Sequence, residues 1–181
     1  MGATSFFTRA TGNSPTEAYN EAVREALYER GHGGYTGTIA EKSGYALFNI
    51  PLAEMPAREM PERQWTKATG YVSVMVAMPL EERLATAIYW YSEHRWNCDD
   101  PFATKPAGDP DWMERYEWSE EQREEWRANQ LANRNDAHFL ATKMGRHNWE
   151  HLCDVFNDKW GPAVALKTGD SEWLFFGMAS C

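Results

Sequence analysis

Two hydrophobic periods alternate along the chain, and they divide it into helices and strands. Ala18, Tyr19, Ala22, Val23, Ala26 and Leu27 recur at helical spacing with Glu21, Arg24, Glu25 and Glu29 between them, so one face packs on a core and the other meets water. Ser14 is suited to the N-cap, Pro15 to the first helical position, and Glu17 completes the capping-box spacing; Gly31 is the stop. Before this helix, residues 5–10 read as a short strand followed by a Gly12-Asn13 turn. After it, the run 32–42 and the apolar run 45–50 read as two strands joined by a turn at 42–44. Pro51, Pro56 and Pro61 predict a loop or edge segment over 51–64, and the β-branched run at 71–78 predicts a well-buried strand.

Pro79 opens a helix with Leu80, Leu84, Ala87, Ile88 and Tyr91 on one stripe, although 87–91 fits a strand as well. Residues 97–111, with Pro101, Pro106, Gly108 and Pro110, form the longest irregular stretch. Ser119 and Gln122 repeat the capping-box signal ahead of an exposed helix over 120–135. A last helix carries Trp149, Leu152, Cys153 and Phe156 at i, i+3, i+4 and i+7 and ends near Gly161-Pro162. Strands at 163–167 and 173–178 follow, joined by a turn at 168–170. The order of elements in 14–50 is faintly echoed in 148–178, a βαββ-like pseudo-repeat without matching residue identities. The expected architecture is α+β: one mostly antiparallel sheet with helices packed on one face, a single domain over 1–181 with an insertion at about 97–135.

Charge narrows the classes of partner. The 181 residues carry 18 Lys+Arg against 27 Asp+Glu, a net charge of −9, the wrong sign for neutralising phosphates over a broad surface. Nucleic-acid binding is disfavoured. Six glutamates fall within residues 114–125, a solvated helix face or an acidic surface for a basic partner. Three cysteines, Cys98, Cys153 and Cys181, make no disulfide framework and fit a reducing cytoplasm. No apolar run reaches the roughly 18 residues a bilayer span requires, and no basic segment precedes an apolar one at the N-terminus, so membrane insertion and export are not expected.

The glycine-rich run is the sharpest chemical feature. Gly31, Gly33, Gly34 and Gly37 allow positive φ, and their N–H groups can form a nest for phosphate or carboxylate, with His32, Tyr35, Thr36 and Thr38 adding donors and a ring. The run follows a helix and precedes a strand, so the helix dipole has the wrong sign for an anion, and no P-loop or Rossmann pattern occurs. A helix C-cap leading into a bulged hairpin is the plainer alternative. His147 and His151 share one helix face at i, i+4, and His94 and Cys98 share that spacing; together they would supply four zinc ligands, but no H-E-x-x-H pattern is present and nothing in the sequence joins the pairs. Asp99, Asp100, Asp109 and Asp111 could hold a hard cation, but are better suited to turns. No cofactor is expected. There is no G-x-S-x-G elbow, and Cys153 sits on an apolar stripe. Nine tryptophans are present, and Trp112, Trp118 and Trp126, with Tyr116 and Arg123, lie in the acidic region, the composition of an interface or of an anchor onto the sheet.

The run G-H-G-G-Y-T-G-T-I-A-E-K at 31–42, and the ending from Lys159-Trp160-Gly161-Pro162 through Trp173-Leu174-Phe175-Phe176-Gly177, resemble segments of small accessory proteins of bacteriophages, particularly those of actinobacteria. That family has no assigned activity. The resemblance implies an accessory factor acting in the cytoplasm of an infected host, on host machinery or against host defence. The expected function is binding of a host factor or a small nucleotide-like ligand through 31–38 and 112–127. A small hydrolase or nucleotide-processing enzyme with His32 as acid–base and Thr36 or Tyr35 positioning the substrate is the alternative, and a self-associating assembly component using the tryptophan-rich surface the third.

Overall fold

The computed structural model describes residues 2–66, 70–95, 102 and 110–181, with side chains described at all of these except 61–66, 70–74 and 111–112. The chain divides into two compact units: Met1–Ile50 with Ala141–Cys181, and Pro51–Leu140 between them.

The first unit is built on a four-stranded sheet, β1 (Ala3–Thr11), β6 (Glu172–Ser180), β5 (Ala163–Lys167) and β2 (Tyr45–Leu47) in that spatial order. β1 runs antiparallel to β6 along its whole length, β6 and β5 form an antiparallel hairpin, and β2 pairs parallel with β5. Helix α1 (Pro15–Arg30) begins as the sequence predicts: the Glu17 amide donates to Ser14 Oγ at 3.2 Å, while the Glu17 carboxylate receives the Asn13 amide at 2.9 Å. Its alanines, Ala18, Ala22 and Ala26, pack with Phe6, Ile39, Ala163, Ala165, Trp173, Phe175 and Ala179. Small residues on both surfaces let helix and sheet approach closely.

Helix α5 (Arg146–Asn157) packs on β5 and β6, where Phe156 meets Phe176 with ring centroids 6.1 Å apart. Phe175 meets Tyr19 of α1. Consecutive strand residues point to opposite faces, so α1 and α5 cover opposite faces of the sheet, where the sequence reading had helices on one. The α+β class and the predominance of antiparallel pairing hold. β5 is buried at four successive positions and β6 at five, the pattern of strands covered on both sides.

Between α1 and β2 the expected hairpin does not form. Positive φ at Gly34, Tyr35 and Gly37 breaks the extended path, and Ile39–Glu41 is a single 3-10 turn whose first free N–H, on Ala40, is capped by Thr38 Oγ1. The echo of 14–50 in 148–178 therefore stops at helix and loop, because the β5–β6 hairpin has no counterpart after α1.

In the second unit β3 (Glu59–Thr66) and β4 (Gly70–Ala77) form their own antiparallel pair. Where a loop or edge segment was expected over 51–64, Leu52–Glu54 is a 3-10 turn and a strand starts at Glu59. Pro61 is accommodated because a two-stranded sheet has only edges, where a missing N–H can face outward. Met75 of β4 is exposed rather than well buried, since nothing but β3 pairs with that strand. Helix α2 (Leu80–His94) includes 87–91, settling their type, and buries Leu84, Ala87, Ile88 and Tyr91. Short α3 (Asp111–Arg115) precedes α4 (Glu120–Met144), whose Ser119–Gln122 capping box is reciprocal at 2.8 and 3.3 Å and which runs nine residues past the predicted end.

The second unit also buries an ion pair that no sequence pattern announces. Asp136 receives Arg83 Nη2 at 2.6 Å and Nε at 3.2 Å, and Arg58 Nη1 at 3.4 Å. Arg58 also donates to Asn133 at 2.8 Å and Asn129 at 3.2 Å. Among the described residues no helix is long and apolar enough to cross a membrane.

Candidate functional site

The glycine run lies on the first unit. Gly31 ends α1 at φ 80°, its N–H returning to the Leu27 carbonyl at 2.9 Å. From there His32, Gly33, Gly34 and Tyr35 project into solvent, and Thr36 turns back to the fold. Gly37 fixes the return: its N–H donates to Ser180 at the end of β6 at 2.9 Å, its φ is 68°, and a Cβ there would stand 2.6 Å from the Thr4 methyl. A side chain there would be strained by the positive φ and would have to push the Thr4 methyl aside.

Glu41 organises the turn. Its Oε1 receives the Thr36 amide at 3.2 Å and the Thr36 hydroxyl at 3.0 Å, and the Thr36 and Thr38 hydroxyls lie 2.8 Å apart. Of the donors suggested for a ligand, the Thr36 amide and hydroxyl are thus taken by the chain's own carboxylate, and the Gly31 and Gly37 amides by main-chain carbonyls. An incoming phosphate would meet that negative charge where it needs donors.

Lys42 ties the far end of the loop down. Its side chain is 7% exposed, and Nζ donates to the carbonyls of Asp158 at 2.5 Å and Met178 at 3.0 Å, while its own carbonyl receives the Tyr19 hydroxyl at 2.9 Å. Burial pushes the Lys42 ammonium below its ordinary 10.5, and the Asp158 carboxylate partly opposes the shift. Because folding lowers this pKa, the cost of burying the ammonium is complete below the lowered value and vanishes above the ordinary one. Wild-type stability measured against Lys42→Met should therefore rise with pH across the range from the lowered pKa up to the ordinary 10.5. Urea unfolding at a series of pH values reads this directly; a flat or falling difference would mean that Lys42 is hydrated.

The Asp158 carboxylate also receives the amides of Trp160 at 3.0 Å and Gly161 at 2.9 Å, holding the α5–β5 connection in a tight turn. That turn presents Trp160 to the loop. Tyr35 meets it edge to face, with ring centroids 6.2 Å apart and an interplanar angle of 82°, and Lys159 Nζ stands 5.4 Å from the indole centroid. Both rings stay open to water, Tyr35 at 54% and Trp160 at 48%, and Tyr35 holds φ 56°, unusual for a residue with a Cβ. Trp160 belonged to no site in the sequence reading, although its place in the second resembling segment was a usable signal.

The other predicted residues fall elsewhere. In the second unit Tyr116 is 70% exposed, whereas Trp118, Arg123 and Trp126 are half-buried, Arg123 Nε donating to the Trp118 carbonyl at 3.2 Å; the Trp112 side chain lies outside the described residues. His94 lies 2.7 Å from the Trp90 carbonyl through Nδ1 and stacks on the Trp90 ring. His147 and His151 are exposed on α5, with His151 against Phe48. Cys98, Asp99, Asp100 and Asp109 lie outside the described residues, as does the Asp111 side chain, and with them one ligand of the four-ligand zinc set and the whole of the cation cluster; among the described residues no group of three metal-binding side chains gathers. Cys153 is buried, as its stripe predicts. Compared with protein-family models, with curated proteins and with solved structures, the chain matches none.

Proposed function

We propose that this chain is a binding protein, an accessory factor of the kind its resemblance to phage proteins implies, which engages a host protein through the tip of the 31–38 loop. One observation carries the reading: two large aromatic rings, Tyr35 and Trp160, stand half-exposed in edge contact on a rigidly anchored turn. Tyrosine and tryptophan dominate interface hot spots because they bring large contact area at low entropic cost. Anchoring through Gly37, Glu41 and Lys42 means little ordering remains to be done on binding. Glu41 is the reason for preferring a protein over a nucleotide-like ligand, since its carboxylate takes the Thr36 amide and hydroxyl and sets a negative charge beside the loop. For the enzymatic alternative, the Thr36 hydroxyl is engaged with Glu41 and Thr38 rather than held toward a substrate beside His32.

The test is a quantitative pull-down from actinobacterial host lysate with wild type and with Tyr35→Ala/Trp160→Ala. Losing two hot-spot rings should cost about 2 kcal/mol or more, roughly thirtyfold in affinity, while the half-exposed positions leave the thermal midpoint within a few degrees. Equal capture by both proteins would defeat the reading. A thermal shift with nucleotides that disappears in the double variant would favour the small-ligand alternative.

A further inference from the structure

The two edges of the four-stranded sheet are built differently. β2 ends one edge and is three residues long; β1 ends the other and is nine, about 30 Å of strand. β1 matches β6 one to one from Ala3 against Ser180 to Thr11 against Glu172, so no bulge interrupts it, and among the described residues no strand pairs with its other side. The phase of the ladder is fixed at both ends: the Gly12 amide donates to the Ser171 carbonyl at 2.9 Å, and the Gly2 carbonyl receives the Cys181 amide at 3.4 Å. Even-numbered residues of β1 therefore address β6. Ala3, Ser5, Phe7, Arg9 and Thr11 turn their N–H and C=O groups outward, and all five are exposed.

Proteins that stay apart guard such an edge with proline, lysine, a bulge or a very short strand. Ala3–Thr11 has none of these. Arg9 is its one charged residue, and no acidic residue occurs in residues 1–16 of a chain whose net charge is −9. Two acidic chains repel each other, and this is a strand along which they approach without setting carboxylate against carboxylate. The strand also shows an apolar ring to solvent. Phe6 lies in the core with α1, so Phe7 points to the other face, where it stacks on Phe176 with centroids 5.6 Å apart and planes within 5°, yet stays 37% exposed.

We infer that β1 pairs with β1 of a second copy of this chain, antiparallel about a twofold axis at Phe7, joining the two four-stranded sheets into one. Self-complementarity singles out this occupant. Outward groups lie only on odd-numbered residues, so odd must face odd, and the one such register that overlaps all nine residues sets Phe7 against Phe7, Ser5 against Arg9 and Ala3 against Thr11. It makes about ten main-chain hydrogen bonds, as many as an ordinary protein–protein interface carries. The Phe7 rings of the two copies meet as a cross-strand pair beside the two Phe176 rings, and Arg9 faces a serine rather than another arginine. Closure about a twofold consumes both long edges and leaves only three-residue β2 at each end of the joined sheet. This inference goes beyond the loop-tip reading and stands whether or not Tyr35 and Trp160 bind anything.

Sedimentation equilibrium of the full chain over a range of concentrations tests it. A reversible monomer–dimer equilibrium without larger species is expected. Ser5→Pro removes an outward N–H and leaves the β6 ladder intact, so it should weaken the dimer roughly tenfold or more. Ser5→Lys sets a lysine against Arg9 of the second copy and should weaken it likewise, and Ser5→Lys/Arg9→Glu should restore it. Plain repulsion between acidic chains predicts the reverse order, because the single variant carries the smaller net charge. Thermal unfolding at low concentration, where monomer prevails, checks that each variant folds as the wild type does; should proline disturb the monomer, the charge variants decide. Monomer at every concentration would leave the edge to a strand of another protein and overturn the inference. Open-ended association, a dimer indifferent to Ser5→Pro in a folded chain, or no recovery in the double variant would overturn it equally.

Discussion

Asp136→Ala should destabilise the Pro51–Leu140 unit by about 3–5 kcal/mol, the cost of leaving a buried charge without its partner. The Arg83 side chain is 3% exposed and that of Asp136 8%, so water cannot replace the lost carboxylate without opening the unit. Arg58, at 16%, would lose part of its compensation as well but keeps Asn133 and Asn129. Removing both members of the closer pair as Arg83→Met/Asp136→Leu should recover most of the loss, because the desolvation cost of the ions disappears together with their attraction. Guanidinium unfolding of the single and double variants reads both effects. A single-variant cost below about 1 kcal/mol would mean that the pair is hydrated and contributes as surface pairs do.

The counterpart in the first unit is Phe175→Ala, with an expected loss of about 3–5 kcal/mol from transfer of the ring and the cavity it leaves. Phe175 is fully buried, and the rings of Tyr19 and Tyr45 lean on it with centroids 5.6 and 6.0 Å away. Its removal also loosens two polar contacts those tyrosines make, Tyr19 to the Lys42 carbonyl at 2.9 Å and Tyr45 to Thr16 at 2.7 Å. Because Lys42 anchors the loop, the partner binding proposed for the loop should weaken in this variant even though no ring at the tip has changed. Urea unfolding followed by far-UV circular dichroism gives the stability term; a loss under about 1 kcal/mol would require the surrounding side chains to collapse into the space almost completely.

The physical reasons behind the legible parts of the fold are local. The α1 cap follows from Ser14, Pro15 and Glu17 placed to serve free N–H groups within one turn, and the α4 cap from Ser119 and Gln122. The β5–β6 hairpin follows from two apolar runs around Thr168-Gly169-Asp170. The α5 stripe follows from period alone, with Trp149, Leu152, Cys153 and Phe156 all buried.

What the glycine run would do was not decided by its own residues. Thr36 and Thr38 are as suited to a ligand as to Glu41, and Glu41 is drawn among them only because Ile39 sinks into the core beneath α1 and coils the chain into a 3-10 turn. Trp160 and Tyr35 are 125 positions apart and meet because the hydrogen bonds of Asp158 and Lys42 hold their two turns together. The same holds for Arg83 and Asp136, an ordinary arginine and aspartate until two helices bury them against each other.

The sequence by itself determined helices α1 and α5, the caps of α1 and α4, the terminal hairpin and the α+β class, because these depend on groups within a few residues of one another and on the period at which apolar side chains recur. Only the tertiary structure decided the placement of α1 and α5 on opposite faces, the parallel β2 at the sheet edge, the buried Arg83–Asp136 pair and the pairing of Tyr35 with Trp160. Each of these depends on which distant surfaces share a core, a choice made by total burial and not by any local propensity.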